Sequence, residues 1–164
     1  MKAPAPAIRP ATADDFAGIW LIFQSVAAAG NTFAYTPETT REQFAALWMN
    51  PPAHAFVALK EGRVVGSYYL KPNQPGLGDH VANAGYMVDP ADRGGGIGRL
   101  MGEHSLGEAR RLGFKAMQFN FVVAANPAVK LWKDLGFTVI GTVPGAFRHA
   151  RLGPTDIHIM HRML

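Results

Sequence analysis

The sequence predicts a mixed α/β domain, and three observations carry that prediction. The apolar periodicity reads in order as one strand, two helices, a run of strands, then helix, strand, helix, strand, strand. A glycine-rich segment joins a strand to the helix after it, and the strand that follows that helix makes a parallel crossover. The chain has 164 residues, 48% hydrophobic and 17% charged, enough to bury one core and too little for two. The expectation is one domain over residues 1–164, with the Ala/Pro-rich start, 1–6, flexible.

Each element has a local reason. Ala7 to Pro10 reads as a short first strand. Thr12-Ala13-Asp14-Asp15 combines an N-cap with acids in a first turn. Phe16, Ile19, Trp20, Phe23 and Val26 then follow at helical spacing until Gly30-Asn31. A loop from Asn31 to Pro37 carries Phe33 and Tyr35, and a second helix spans Thr40 to Met49, ended by Asn50-Pro51-Pro52. Ala55 to Leu59 and Val64 to Leu70 flank Glu61-Gly62 as a hairpin. Pro72 to Gly78 is a loop, and His80 to Val88 a strand stopped by Asp89-Pro90. Gly94 to Gly98 opens a helix reaching Leu112, closed by Gly113. Lys115 to Val123 is a strand, Pro127 to Leu135 a helix, Phe137 to Thr142 a strand, and Asp156 to Met163 the last strand.

Composition excludes several functions. No cysteine is present, which removes disulfides, thiolate metal sites and Cys nucleophiles. Net charge is +4 because acids are few, 12 against 16 bases, and the bases are scattered, so no nucleic-acid partner is expected. No apolar run reaches membrane-span length, so no membrane partner is expected. Met1 to Pro10 lack the apolar core of a secretory signal, and a cytoplasmic location is the expectation. No metal is expected: His158 and His161 point to opposite faces of a strand, and Glu103-His104 lacks the second histidine of a zinc helix.

The informative segment runs from Tyr86 to Arg99, strand into glycine loop into helix. The first N–H groups of a helix lack partners and sit at its positive dipole end, so such a loop can cradle a phosphate. Arg93 and Arg99 flank it. Gly98 is followed by Arg99-Leu100 rather than Lys-Ser/Thr, which excludes the Walker pattern, and Arg99 stands where the dinucleotide pattern needs glycine. A glycine-rich turn without a ligand is the plain alternative.

Arg93-Gly94-Gly95-Gly96-Ile97-Gly98 fits R-x-x-G-x-G and resembles the coenzyme A pyrophosphate loop of the GCN5-related N-acetyltransferase superfamily. Asn126 to Phe137, an Asn and an apolar helix ending in aromatic-x-x-x-Gly-Phe, resembles that family's second signature. The resemblance runs from about Ala7 to Leu164, since the element order also matches. It implies a mixed central sheet with splayed parallel strands, His80–Val88 and Lys115–Val123, and flanking helices. It implies acetyl-CoA as co-substrate, held by Arg93, Gly94, Gly95, Gly96, Ile97, Gly98, Arg99 and Asn126, and by main-chain groups of Met87 and Val88. Trp132 stands where the family's tyrosine protonates the departing thiolate. Indole N–H only donates hydrogen bonds, so no catalytic acid is assigned. A thiolate of solution pKa about 8.5 leaves without one.

Strand alternation puts Asn83, Gly85 and Met87 on one face, and Asn120 with Gln118 and Val122 on another. In splayed neighbours, Asn83, Asn120 and Asn126 would converge beside the acetyl group. The blocks His80–Gly85 and Phe119–Asn126 are similar to the fungal azetidine-2-carboxylate N-acetyltransferase branch, whose matching asparagines line the substrate site. Asn83 and Asn120 are thus the expected substrate-positioning residues in catalysis. The bland alternative is that these amides tie strands together. His80, Asp79, Glu38 and Tyr35 are the candidate proton acceptors.

Gly141 to His149 reads as a loop, either folded over the cleft with Arg148 meeting a carboxylate or lying at the surface with a solvated Arg. Phe33 and Tyr35 read equally as substrate contacts or core anchors. Exposed apolar edges suit pairing into a homodimer. The expected function is transfer of acetyl from acetyl-CoA to a small-molecule amine by direct attack. A protein or peptide amine, or a non-enzymatic acyl-CoA sensor, are the competing readings.

Overall fold

The computed structural model describes residues 4–164; of the start expected to be flexible, residues 1–3 lie outside the described residues. Seven strands form one sheet in the order β1-β2-β3-β4-β5-β7-β6. They are β1 Ala7–Pro10, β2 His54–Lys60, β3 Arg63–Pro72, β4 Val81–Val88, β5 Ala116–Val123, β6 Thr138–His149 and β7 Gly153–Met163. Helices α1 Phe16–Ala29 and α2 Arg41–Trp48 join β1 to β2, α3 Ile97–Arg111 joins β4 to β5, and α4 Ala128–Asp134 joins β5 to β6. All neighbours are antiparallel except β4 and β5, which pair in parallel.

The helix ends follow from local chemistry. Thr40 Oγ1 accepts from the Gln43 N–H while Gln43 Oε1 accepts from the Thr40 N–H, a reciprocal cap on α2. Asp15 behaves differently from a first-turn acid. It closes a short 3-10 turn before α1, accepts two bonds from Arg9 at 2.7 and 2.9 Å, and is buried. Gly30 ends α1 in the left-handed region, φ +59°.

The sheet has a hydrophobic layer on each face. Under α3 and α4 lie Tyr68, Met101, Met117, Phe119, Trp132 and Phe137. Under α1 and α2 lie Ile19, Phe23, Phe44, Trp48, Val57 and Met87. Strand alternation divides neighbours such as Phe56 and Val57 between the two layers. Buried Trp48 donates from Nε1 to Ser67 Oγ, which donates to the Phe56 carbonyl, so this polar pair is fully bonded.

Two expectations are corrected. Gly141 to His149 is not a loop: β6 continues to His149, paired with β7 through Arg148↔Pro154 and His149↔Gly153. Register shifts at Val139/Gly141 and Val143/Phe147 absorb the glycines and Pro144, whose missing N–H costs nothing on an edge strand at a bulge. Val122 does not share a face with Asn120, because a shift between Phe119 and Val122 turns Val122 into the α3/α4 layer. The edge strand β6 exposes Val139, Ile140 and Val143.

Candidate active site

The parallel pair β4–β5 is registered at only two positions, Val81↔Ala116 and Ala82↔Met117. Beyond them β4 continues to Val88 against β3 and β5 continues to Val123 against β7, so the two strands part. At the fork, Asn83 Nδ2 donates to the Gln118 carbonyl at 3.1 Å, and Asn83 Oδ1 accepts from the Tyr69 hydroxyl at 3.1 Å. A side-chain amide thus stands in the place of the next ladder bond.

The main chain of β4 beyond the fork is a row of unpaired groups on one side. The Asp89 N–H donates to the Val65 carbonyl, so alternation turns the main-chain groups of Met87 toward β3. Those of Tyr86 and Val88 face the gap. Met87 is therefore corrected as a main-chain contact: Val88 and Tyr86 present theirs, and the buried Met87 side chain packs under α1. Strand alternation alone could have signalled Tyr86.

The glycine loop sits where β4 ends. Gly94 and Gly96 have φ +82° and +79°, and a Cβ on either would meet nothing within 4 Å, so glycine is there for backbone conformation and the loop surface is open. Gly96 caps the 15-residue α3, placing the free N–H groups of its first turn at the mouth of the gap. The loop is braced from behind. Arg63 bonds Asp89 at 2.9 Å and Asp92 at 2.6 Å, while Lys60 lies 3.6 Å from Asp92. Arg63 holds the Asp92 carboxyl below the ordinary carboxylate range. The Asp89 side chain also accepts from the Ala91 N–H, closing the turn. Arg93 and Arg99 are both exposed, Arg99 pairing with Asp134 at 3.1 Å.

An open-edged strand, a positive-φ glycine loop and a long helix starting at it fit a pantetheine arm and its pyrophosphate. A family model described as acetyltransferase (GNAT) family matches residues 20–137. This chain belongs to the GNAT family. It is similar to a GCN5-related N-acetyltransferase structure from Kribbella flavida, 47% identical over 98% of each chain with a TM-score of 0.93. It is 42% identical over 86 residues to N-acetyltransferase aca1 of Schizosaccharomyces pombe, covering 52% of this chain and 41% of that protein. The chain therefore spans less than half the length of that relative. The fold also matches a Sinorhizobium meliloti phosphinothricin acetyltransferase in complex with AcCoA, TM-score 0.86 at 24% identity, over 98% of this chain and 89% of that one.

Within this GNAT chain, Asn83 and Asn120 are joined only through Gln118, Asn83 by the Gln118 carbonyl and Asn120 by the Gln118 side chain. Asn120 is exposed, donates to Asn73 Oδ1 at 2.7 Å and accepts from Gln118 Nε2 at 3.0 Å, so Gln118 links it to Asn83. Asn126 does not join them: its Oδ1 accepts from the Ala128 N–H at 2.9 Å and starts α4. Phe33 and Tyr35 are half-buried against the α1/α2 layer, Phe33 beside Trp48 and Tyr35 beside Phe23. Tyr35 also lies close enough to Tyr69 to disfavour its ionisation, after burial itself. Arg148 is exposed and makes no side-chain hydrogen bond or ion pair with the described residues.

Trp132 is buried. It is 7% exposed, packed against Tyr86, Phe119 and Phe137. Gly102 admits it, since a Cβ there would lie 2.7 Å from Leu135 Cδ1 and 3.2 Å from Trp132 Cζ3. Among the proton-acceptor candidates, a hydrogen bond from Thr36 lowers the Glu38 pKa, and burial raises that of Tyr35. Among the described residues no three His, Asp or Glu side chains gather as a metal site, and no helix is long and apolar enough to cross a membrane.

Proposed function

We propose that this chain transfers the acetyl group of acetyl-CoA to the amine of a small molecule by direct attack. The observation that carries the reading is the fork: two registered rungs, then a gap edged by β4 main chain and ending at the glycine loop. The S. meliloti structure of the same fold, described as a complex with AcCoA, supports the choice of co-substrate. The similarity to a fission-yeast N-acetyltransferase supports amine acetylation. An imino or amino acid is the narrower acceptor class, on Asn83 and Asn120, which Gln118 links.

Acetyl-CoA, when bound, supplies an acetyl thioester. Gly94 to Gly98 and the first turn of α3 hold its pyrophosphate through main-chain N–H groups, with Arg93 adding charge. The free Tyr86 and Val88 main-chain groups line the gap and polarise a carbonyl there. Asn83, fixed by Tyr69 and Gln118, orients the acceptor on the α1/α2 side. The acceptor amine gives its proton to water before it attacks. The missing tyrosine acid at Trp132 does not require a non-enzymatic sensor, because a thiolate of solution pKa about 8.5 leaves without one.

The test is release of free CoA thiol from acetyl-CoA across small amines: azetidine-2-carboxylate, proline analogues, ordinary amino acids and polyamines, with product mass as confirmation. Amine-dependent release is the expected result. Silence across the panel would move the assignment to a macromolecular amine or a binding module.

A further inference from the structure

We propose that Lys71 takes the carboxylate of the acetyl acceptor, in a cavity that opens beside the fork. The inference rests on the acetyltransferase reading above and on its amino- or imino-acid acceptor, and adds the residue that recognises the carboxylate of that acceptor.

The cavity is an open depression of about 510 Å³ between the end of α2 and the β3–β4 connection. That volume is within the usual range for a small-molecule site. Asn50, Lys71, Asn73, Gln74 and Asp79 supply its polar lining. Two of these residues connect it to the fork. Lys71 stands opposite Asn83 in the β3–β4 register, with side chains about 5 Å apart at their bases on the α1/α2 face. Asn73 accepts from Asn120 at 2.7 Å. Lys71 and Asn73 thus line the cavity and adjoin Asn83 and Asn120 at the fork.

The charge of Lys71 is held in place and left unspent. Its Nζ lies 5.1 Å from the centroid of the Tyr69 ring, whose hydroxyl donates to Asn83. A ring face fixes an ammonium without neutralising it. Lys60, Arg63, Arg99 and Lys130 each pair with a carboxylate, whereas no carboxylate of the described residues pairs with Lys71. A half-buried, oriented cation that no carboxylate pairs, beside the amides of Asn50, Asn73 and Gln74, is a receptor for a small anion. A carboxylate on Lys71 leaves the nitrogen of its neighbouring carbon beside Asn83, at the mouth of the gap. Exposed Asp79 also lines the cavity and adds repulsion for each carboxylate that Lys71 does not hold, so monocarboxylates are favoured over dicarboxylates.

The experiment measures thiol release with matched acids and amides: proline and prolinamide, azetidine-2-carboxylate and its amide, alanine and alaninamide, plus glutamate. Wild type, Lys71→Gln and Lys71→Arg are compared, and CoA binding by calorimetry verifies that each variant folds. The expected wild-type preference for acid over amide is at least about tenfold in kcat/KM, carried by KM. Lys71→Gln brings that ratio close to one, and Lys71→Arg restores part of it. A merely structural role for Lys71 would lower acid and amide together and keep the ratio, which overturns the proposal. Equal use of acid and amide by wild type also overturns it and leaves the acetyltransferase reading standing. No release from any acceptor overturns both.

Discussion

Asn83 reaches across the fork to the Gln118 carbonyl at 3.1 Å, at the first position where β4 and β5 no longer pair. The bond does two jobs: it ends the parallel ladder without an orphaned carbonyl, and it fixes an amide at the cleft. Removing it should therefore be felt in both stability and turnover.

Asn83→Ala is expected to lower kcat/KM about tenfold or more and to cost roughly 1 kcal/mol of stability. Steady-state thiol release and thermal melting on the same preparation separate the two effects. A lowered melting temperature with unchanged kcat/KM would reduce Asn83 to a strand tie.

Gly85 lies under the Tyr69 ring: a Cβ there would come within 2.7 Å of Tyr69 Cε1. The ring cannot retreat freely, because Trp48 meets it edge-on at 4.8 Å and its hydroxyl is bonded to Asn83. Gly85→Ala should destabilise by about 1–3 kcal/mol, and denaturant titration checks it. It should also displace Tyr69 and raise KM for the acceptor more than for acetyl-CoA.

The glycine loop gives a contrasting expectation. A Cβ at Gly96 meets open space, yet φ +79° penalises any L side chain, so Gly96→Ala acts through backbone strain of about 1–2 kcal/mol. Arg63→Ala removes the brace on Asp89 and Asp92 without touching the loop surface. Both variants should weaken CoA binding, by about threefold to tenfold for Arg63→Ala. Calorimetric titration with CoA measures this, and an unchanged affinity in Arg63→Ala would show that the loop holds its shape unaided.

Much of this was legible in the sequence because its signals are local. Helical spacing in Phe16 to Val26, the Asn50-Pro51-Pro52 stop and the run from Val88 through Gly98 each declare themselves within a few residues. The family resemblance supplied the splay, which no local pattern shows. What the sequence hid depends on partners far away. Pro144 and Gly145 are turn formers, but pairing with β7 converts their segment into a bulged strand. The irregularity after Phe119 breaks the alternation that would assign Val122. Trp132 has the spacing of a cleft residue, while its burial depends on the glycine at position 102 of another helix. The cavity over Lys71 is assembled from α2, β3 and the loop before β4, so no single stretch announces it.

Acid stability follows from two braced carboxylates. Asp15 has its pKa lowered, first by the hydrogen bond from Arg9, and Asp92 likewise by Arg63. A folded-state pKa below the unfolded value adds stability that is complete above about pH 4 and is lost as pH falls through the lowered values. Melting temperatures should hold from neutral pH to about pH 5 and fall below about pH 4, with a smaller fall in Asp15→Asn relative to its own neutral value. An equal acid-induced fall in that variant would remove Asp15 from the account.

Direct attack is tested by a single turnover with isotope-labelled acetyl-CoA and an accepted amine, followed by mass spectrometry of small molecules and intact protein. Direct attack in the fork predicts label in the acetylated amine, one free CoA per product, and a protein mass unchanged with or without the amine. Label retained on the protein, or CoA released with no acetylated amine, would contradict it.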